Sequence, residues 1–267
     1  MDFKDKTVLI TGGSSGIGLA VAKKFAGEVA NVAILARGKE RLQQAAQEIA
    51  VISAQDKVLP IACDVSDEKG MIEAFAQVTE TFGRLDILVN NAGSGRSASI
   101  EETSMDLWNE MIAVHATGYF LAAREAVRTF KRQGGGGVMV FVVSDNAVRP
   151  SRNFIAYNVA KAGELHMARS IADECGKDGI RVNSILPGAV FGGSGFWTPE
   201  LRSQRAGIYG FDPDKLAQEY KKNAALNVVI DPDEVADVIL FLASEKTAKV
   251  TGAVISIDGG GKGGYVR

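Results

Sequence analysis

The chain has 267 residues, of which 46% are hydrophobic and 23% charged, which is typical of globular proteins and unlike disordered or collagen-like chains. Thirty basic residues against 32 acidic ones leave a formal charge of −2, and without a basic run we expect no nucleic-acid partner. The N-terminus lacks the apolar core of a signal peptide, and no run of about 18 apolar residues occurs, so we expect neither export by that route nor a membrane association. The two cysteines, Cys63 and Cys175, form no metal or disulfide motif and fit a reducing, cytoplasmic location.

Apolar runs alternate with helix-length segments along the chain. The apolar runs predict strands at 7–11, 31–36, 57–62, 86–90, 138–143, 180–186 and 253–258. Helical periodicity occurs at about 16–28, 39–52, 67–82, 104–132, 154–176 and 232–243. Continuous apolar strands separated by helices are typical of a parallel sheet that is covered on both faces. We therefore predict an α/β fold, a single domain over 1–267 with a Rossmann-like, doubly wound sheet of about seven strands.

One long segment interrupts this alternation. Residues 187–230 contain glycines and aromatic residues and follow the sixth predicted strand. A connection of this length in a compact domain is usually a lid or a binding lobe. We predict a substrate lobe here, with short helices of its own.

The first predicted strand runs into the turn T-G-G-S-S-G-I-G at residues 11–18, and a helix follows. Glycines at such a turn let the backbone approach a pyrophosphate, whose charge the helix N-terminus stabilises. No Lys-Ser/Thr pair follows the last glycine, which disfavours nucleoside triphosphate hydrolysis. The turn also matches the hydrolase motif G-x-S-x-G, but that motif needs a late histidine, and the last one, His166, lies within a predicted helix.

The end of the second predicted strand indicates which nucleotide binds. Ala36 stands about where an acidic residue would bind the ribose 2′-hydroxyl of NAD, and Arg37 follows it. A guanidinium can bind a 2′-phosphate, and alanine leaves room for it. NADP(H) is therefore favoured over NAD(H).

A tyrosine and a lysine share one face of the fifth predicted helix. Tyr157 and Lys161 are four residues apart, and a nearby ammonium lowers the pKa of a tyrosine, which makes it a usable proton donor and acceptor. Ser144 follows the fifth strand, where ligands bind in open α/β sheets, and its hydroxyl can hydrogen-bond a carbonyl or alkoxide oxygen.

Together these motifs resemble the short-chain dehydrogenase/reductase family over essentially the whole chain. The matching motifs, in order, are T-G-G-S-S-G-I-G at 11–18, Asp64-Val65, Asn90-Asn91-Ala92-Gly93, Ser144, Tyr157-x-x-x-Lys161 and Pro187-Gly188. The resemblance implies an NAD(P)-dependent oxidoreductase that binds a small carbonyl or alcohol substrate and needs no metal. Family members are commonly homotetramers, and the small or apolar residues around helix 154–172 support association independently.

The resemblance also implies a role for particular residues. Ser144 would polarise the substrate oxygen, Tyr157 would exchange a proton with it, and Lys161 would hold the nicotinamide ribose and tune Tyr157. The expected cofactor-binding residues are Gly12, Ser14, Ser15, Gly16, Ile17, Gly18, Arg37, Asp64, Val65, Asn91, Ala92, Gly93, Tyr157, Lys161, Pro187, Gly188 and Val190.

The sequence departs from the family pattern at two positions. His115 stands where the family has a fourth catalytic residue, an asparagine that helps hold a relay water. The imidazole either substitutes for that asparagine or has a dedicated role in proton transfer. Gly192 stands where many members have a threonine that contacts the nicotinamide carboxamide.

We therefore predict an NADP(H)-dependent oxidoreductase that interconverts a secondary alcohol and a carbonyl, with a sugar or polyol as the expected substrate. Two alternatives stay open: a 3-oxoacyl-thioester (acyl carrier protein) reductase, and a catalytically impaired scaffold that senses NADP(H). An intact set of Ser144, Tyr157 and Lys161 argues against the scaffold.

Overall fold

The computed structural model describes residues 3–53, 57–193 and 195–261, which contain a seven-stranded sheet. The strands are β1 (Thr7–Thr11), β2 (Asn31–Ala36), β3 (Val58–Ala62), β4 (Ile87–Asn90), β5 (Gly137–Val142), β6 (Ile180–Pro187) and β7 (Val254–Ile257). Their order is β3-β2-β1-β4-β5-β6-β7, and all neighbouring pairs are parallel. The predicted Rossmann-like α/β sheet is confirmed.

Helices connect these strands. The α-helices are α1 (Gly16–Gly27), α2 (Lys39–Ala50), α3 (Glu68–Phe82), α4 (Met105–Met111), α5 (Gly118–Gln133), α6 (Ile155–Cys175), α7 (Pro199–Tyr209), α8 (Leu216–Lys222) and α9 (Pro232–Ala243). Short 3₁₀ helices occur at Asp145–Ala147, Gly176–Asp178, Pro213–Lys215 and Glu245–Thr247. Across the described ranges, no helix is both long and apolar enough to cross a bilayer.

The helix predicted over 104–132 is not a uniform α-helix. A π-helix at Ile112–Thr117 lies between α4 and α5. Such wide turns in helices occur frequently at functional sites. The segment 187–230 does contain short helices, as predicted, namely α7 and α8.

Helices cover both faces of the sheet, and successive strand residues point to opposite faces. Val8 and Ile10 of β1 pack in one apolar cluster with α1, α2 and α9, whereas Leu9 packs in the other with α3, α5 and α6. Every position of a central strand must therefore be compatible with burial, which explains the continuous apolar runs in the sequence.

The strand order places a crevice at the carboxyl ends of the strands. β1 and β4 are neighbours, although their connections leave in opposite directions across the sheet, and ligands bind at such a switch point. A smaller apolar cluster joins the start of α6 to α7, with Phe154, Tyr157 and Leu201 buried in it and Phe196 packed against it. The segment that contains α7 therefore covers one end of this crevice.

Candidate active site

The glycine turn between β1 and α1 lines the crevice. Gly12 and Gly16 have φ values of +69° and +51°, in the left-handed region that favours glycine. A Cβ on Gly18 would stand 2.3 Å from the Gly12 carbonyl oxygen, so α1 can approach the turn this closely only with glycine there. Asn91 Nδ2 donates to the Thr11 carbonyl oxygen at 2.9 Å. The turn is thereby fixed against the end of β4.

The residues that the sequence singled out converge on one cleft of about 710 Å³. The nominated residues that line it are Gly12, Ser14, Ser15, Gly16, Ile17, Arg37, Asp64, Val65, Asn91, Ala92, Gly93, His115, Ser144, Tyr157, Lys161, Pro187, Gly188 and Val190. Gly18 is buried behind the turn instead, where its lack of a side chain permits the close packing.

One end of the cleft has excess positive charge. Arg37 Nη1 lies 3.6 Å from Asp64 Oδ2. Partial burial raises the pKa of Asp64, but the hydrogen bonds from Ser66 and the charge of Arg37 lower it more, so the net shift is downward. Arg41, in the first turn of α2, lines the same end and was not singled out from the sequence. Two guanidiniums therefore line the cleft near the small Ala36, and one of them, that of Arg37, lies beside the Asp64 carboxylate.

Ser144, Tyr157 and Lys161 meet near the carboxyl end of β5. Tyr157 and Lys161 are 7% and 3% exposed, and Lys161 Nζ lies 5.6 Å from the centre of the Tyr157 ring. Lys161 Nζ donates to the Val142 carbonyl oxygen at 3.2 Å. The Ser144 hydroxyl donates to Asp145 Oδ1 at 3.2 Å, and the side chains of Ser144 and Tyr157 both line the cleft. Two hydroxyl groups and an ammonium are thus held together at one point of the cleft wall.

Burial controls the acidity of this group. Burial raises the pKa of Tyr157 far above its usual value, and the charges of Glu164 and Asp145 raise it further. The Ser144 hydroxyl acts in the opposite direction and lowers this pKa. Burial also lowers the pKa of Lys161, although Glu164 opposes that shift. The net shift of the Tyr157 pKa is thus upward. The carboxylate beside the ammonium offsets its charge.

His115 lies in the π-helix and connects to that carboxylate. Its Nδ1 is 2.9 Å from Glu164 Oε1, and its Nε2 is 2.8 Å from the Ser94 carbonyl oxygen. Glu164 Oε2 accepts a hydrogen bond from Lys161 Nζ at 2.8 Å. His115 and Glu164 are each 0% exposed. Sequence patterns did not single out Glu164, although its position three residues after Lys161 places both on one face of α6.

The wall beyond β6 explains the second departure from the family pattern. A Cβ on Gly192 would stand 3.0 Å from Cδ of Pro232, so a threonine there would crowd the proline ring at the start of α9. The Val190 carbonyl oxygen accepts a hydrogen bond from Trp197 Nε1 at 2.8 Å. This bond ties the segment that leads into α7 back to the cleft wall.

Aromatic rings surround the end of the cleft nearest α7. The Phe191 and Trp197 rings stack with centres 4.6 Å apart, and Tyr220 packs against both at 5.8 Å. The Phe196 ring lies 5.7 Å from that of Tyr157. A substrate that reaches Tyr157 from this side would therefore contact flat apolar surfaces.

Three arginines, Arg149, Arg152 and Arg205, add polarity to this end of the cleft. Arg149 Nη2 pairs with Asp145 Oδ2 at 2.6 Å, and the Arg152 side chain is exposed. Arg205 of α7 is only 2% exposed and lines the cleft. Its guanidinium donates to the Arg152 carbonyl oxygen at 2.6 Å and to the Tyr220 hydroxyl at 3.3 Å.

The cleft suits a nicotinamide dinucleotide. Its volume falls within the range of small-molecule sites, roughly 300–1,000 Å³. The glycine turn offers a helix N-terminus for the pyrophosphate, and the two arginines lie at the end nearest β2. The hydroxyl and ammonium groups near β5 lie at the reacting end. The residues present therefore fit this cofactor.

Comparison with known proteins agrees with the geometry. A family model described as enoyl-(acyl carrier protein) reductase matches residues 12–262. The uncharacterized oxidoreductase YuxG of Bacillus subtilis (strain 168) is 43% identical over 266 residues, which is 100% of this chain and 39% of that protein. Levodione reductase of Leifsonia aquatica is 32% identical over 265 residues, covering 98% of this chain and 96% of that protein.

A solved structure has the same fold and carries ligands. L-Sorbose reductase from Gluconobacter frateurii, complexed with NADPH and L-sorbose, has a TM-score of 0.87 and 33% identity, covering 97% of each chain. The chain belongs to the short-chain dehydrogenase/reductase family and is an NAD(P)-dependent oxidoreductase. The family and enzyme class expected from the sequence are thereby confirmed.

Proposed function

We propose that this enzyme uses NADP(H) to interconvert a secondary alcohol and a carbonyl, with a sugar or polyol as substrate. The observation that carries the proposal is the position of Ser144 and Tyr157 on the wall of one cleft. At one end of that cleft lies the glycine turn, which suits a dinucleotide, and at the other end lie aromatic and polar side chains. A substrate oxygen at the two hydroxyls would lie between these ends.

The residues of the chain then have separate roles. Ser144 would hold the substrate oxygen by a hydrogen bond and polarise it. Tyr157 would give that oxygen a proton during reduction and accept one during oxidation, and burial favours the protonated hydroxyl from which reduction starts. Lys161 would hold the nicotinamide ribose. When bound, the nicotinamide supplies or accepts the hydride.

The preference for NADP(H) is supported by the charge near β2. Arg37 and Arg41 line the cleft, and the small Ala36 stands where an acidic side chain would repel a 2′-phosphate. Asp64 offsets only part of this positive charge.

A sugar or polyol is supported by the chemistry at the far end. Aromatic faces such as Trp197 suit the apolar face of a sugar, and the Arg205 guanidinium and Tyr220 hydroxyl can bind hydroxyl oxygens. L-Sorbose reductase, named for a sugar substrate, shares the fold at 33% identity.

A substrate screen tests the proposal. Following NADPH fluorescence with sugars, polyols, their phosphates and 3-oxoacyl thioesters, we expect turnover to be fastest with a sugar or polyol. Faster turnover of 3-oxoacyl thioesters would replace the proposed substrate class. NADPH binding without turnover of any compound would favour a cofactor-sensing scaffold.

We also propose a cytoplasmic homotetramer. Cys63 and Cys175 are free thiols, as a reducing compartment permits. Phe120 of α5 and Val159 of α6 are 48% and 44% exposed, so large apolar side chains remain at the surface of both helices. Light scattering should give four times the 28.3 kDa chain mass, and a monomer would contradict this assembly.

A further inference from the structure

Three titratable side chains form a buried line behind Tyr157. Lys161 Nζ donates to Glu164 Oε2 at 2.8 Å, and Glu164 Oε1 lies 2.9 Å from His115 Nδ1. Glu164 and His115 are each 0% exposed, and Lys161 is 3% exposed. Burying a carboxylate between an ammonium and an imidazole costs desolvation free energy, and only well-placed contacts to both groups offset that cost.

The contacts of His115 indicate how many protons this line holds. Nδ1 faces a carboxylate oxygen, and Nε2 faces the Ser94 carbonyl oxygen at 2.8 Å. A neutral imidazole has one N–H and cannot donate to both. The Ser94 N–H also forms a long hydrogen bond to Nε2, at 3.4 Å, which only an unprotonated Nε2 can accept, but the carbonyl oxygen is closer, at 2.8 Å. If the shorter contact is the hydrogen bond, Nε2 carries a proton; either His115 is then an imidazolium or Glu164 is protonated, and in both cases the pair holds one extra proton.

That proton changes the charge beside the reacting groups. With it, the line of three side chains has a net charge of +1, from Lys161; without it, the carboxylate cancels the ammonium. The other titratable groups in electrostatic contact are Tyr157, whose ring is 5.2 Å from that of His115, and Tyr119, on which Glu164 also acts. Asp145 acts on Tyr157 from the opposite side.

We propose that Glu164 and His115 are positioning residues that share one buried proton. Its gain or loss switches the net charge beside Lys161 and so controls proton transfer at Tyr157. This inference rests on the proposed alcohol–carbonyl reaction. It gives His115 a dedicated role, whereas an asparagine at that position could not hold the proton.

Two substitutions lock the line in its two charge states. Glu164→Gln removes the carboxylate and leaves a net charge of +1, whereas His115→Asn removes the imidazole with which Glu164 shares the proton, so that the carboxylate cancels the ammonium. In the oxidation direction, measured as kcat against pH, the rise that reports the Tyr157 phenolate should occur at lower pH in Glu164→Gln. The expected separation is about one pH unit or more, because a net positive charge favours the phenolate. The parent should show an additional ionisation that both variants lack.

Glu125→Gln is the matched control. Glu125 is a buried carboxylate on α5, paired with Arg124 at 2.9 Å and Arg128 at 2.7 Å, away from the cleft. Its variant should keep the pH profile of the parent. Coincident profiles for Glu164→Gln and His115→Asn would overturn the proposal.

A second measurement needs neither turnover nor a variant. The chain contains only two histidines, His115 and His166, so ¹⁵N NMR of the imidazoles can resolve each ring nitrogen. A proton on Nε2 of His115 at neutral pH, with or without one on Nδ1, is the expected result. A proton on Nδ1 alone would overturn the proposal, because the pair would then hold no extra proton. If the substrate screen fails, this result still decides the inference.

Discussion

Replacing Tyr157 with phenylalanine is expected to lower kcat by about 10²–10⁴-fold, the usual contribution of a positioned acid–base group. The substitution removes the hydroxyl that exchanges the proton but keeps the ring, which packs against Phe154 and Phe196 with centres 5.1 and 5.7 Å apart. Steady-state kinetics on the best substrate of the screen measure the loss.

Cofactor affinity provides the control for this variant. The dissociation constant of NADPH, measured by fluorescence titration, should stay close to that of the parent because Lys161 and the glycine turn are intact. A kcat within about threefold of the parent would show that Tyr157 is not the acid–base group.

The double substitution Ala36→Asp and Arg37→Ser is expected to reverse the preference for NADPH over NADH. It replaces the guanidinium with a neutral side chain and adds a carboxylate that repels a 2′-phosphate and can bind a ribose 2′-hydroxyl. A hydrogen bond to a charged group contributes about 1.5–3 kcal/mol, so each change should alter affinity by roughly 10- to 150-fold. Titration with both cofactors measures the reversal.

Two single variants separate the contributions to this preference. Arg41→Ala should weaken NADPH binding without improving NADH binding, because it removes positive charge and adds no partner for the ribose. Arg132→Ala, an exposed arginine of α5, should leave both affinities unchanged. Equal affinity of the parent for the two cofactors would contradict the assignment of NADP(H).

Local patterns predicted the sheet well because its central strands are buried on both faces. The strands predicted at 7–11 and 31–36 have those same bounds in the structure, and the last differs by one residue at each end. The wide turn near His115 was not predicted, since π-helical pairing leaves no distinct apolar period. Periodicity indicates which face of a helix is buried and carries little information on its hydrogen bonds.

Partners that are distant in the chain were harder to predict. Glu164 contacts His115 across 49 positions, and Arg205 contacts Arg152 across 53. Such pairs depend on how elements pack, which no local pattern encodes. Glu164 in isolation is an ordinary polar residue of a helix, and only its burial between two titratable groups identifies it.

The π-helix makes this stretch of chain sensitive to changes in length. Successive residues of an α-helix are rotated by about 100° around the axis. Deleting one residue within Ile112–Thr117 would therefore rotate the side chains before the deletion by that angle relative to those after it. His115 would then face away from Glu164, or α5 would lose its fit against the sheet. Homologous chains with one residue fewer in this turn should therefore lack the contact between positions 115 and 164, even where both side chains are kept.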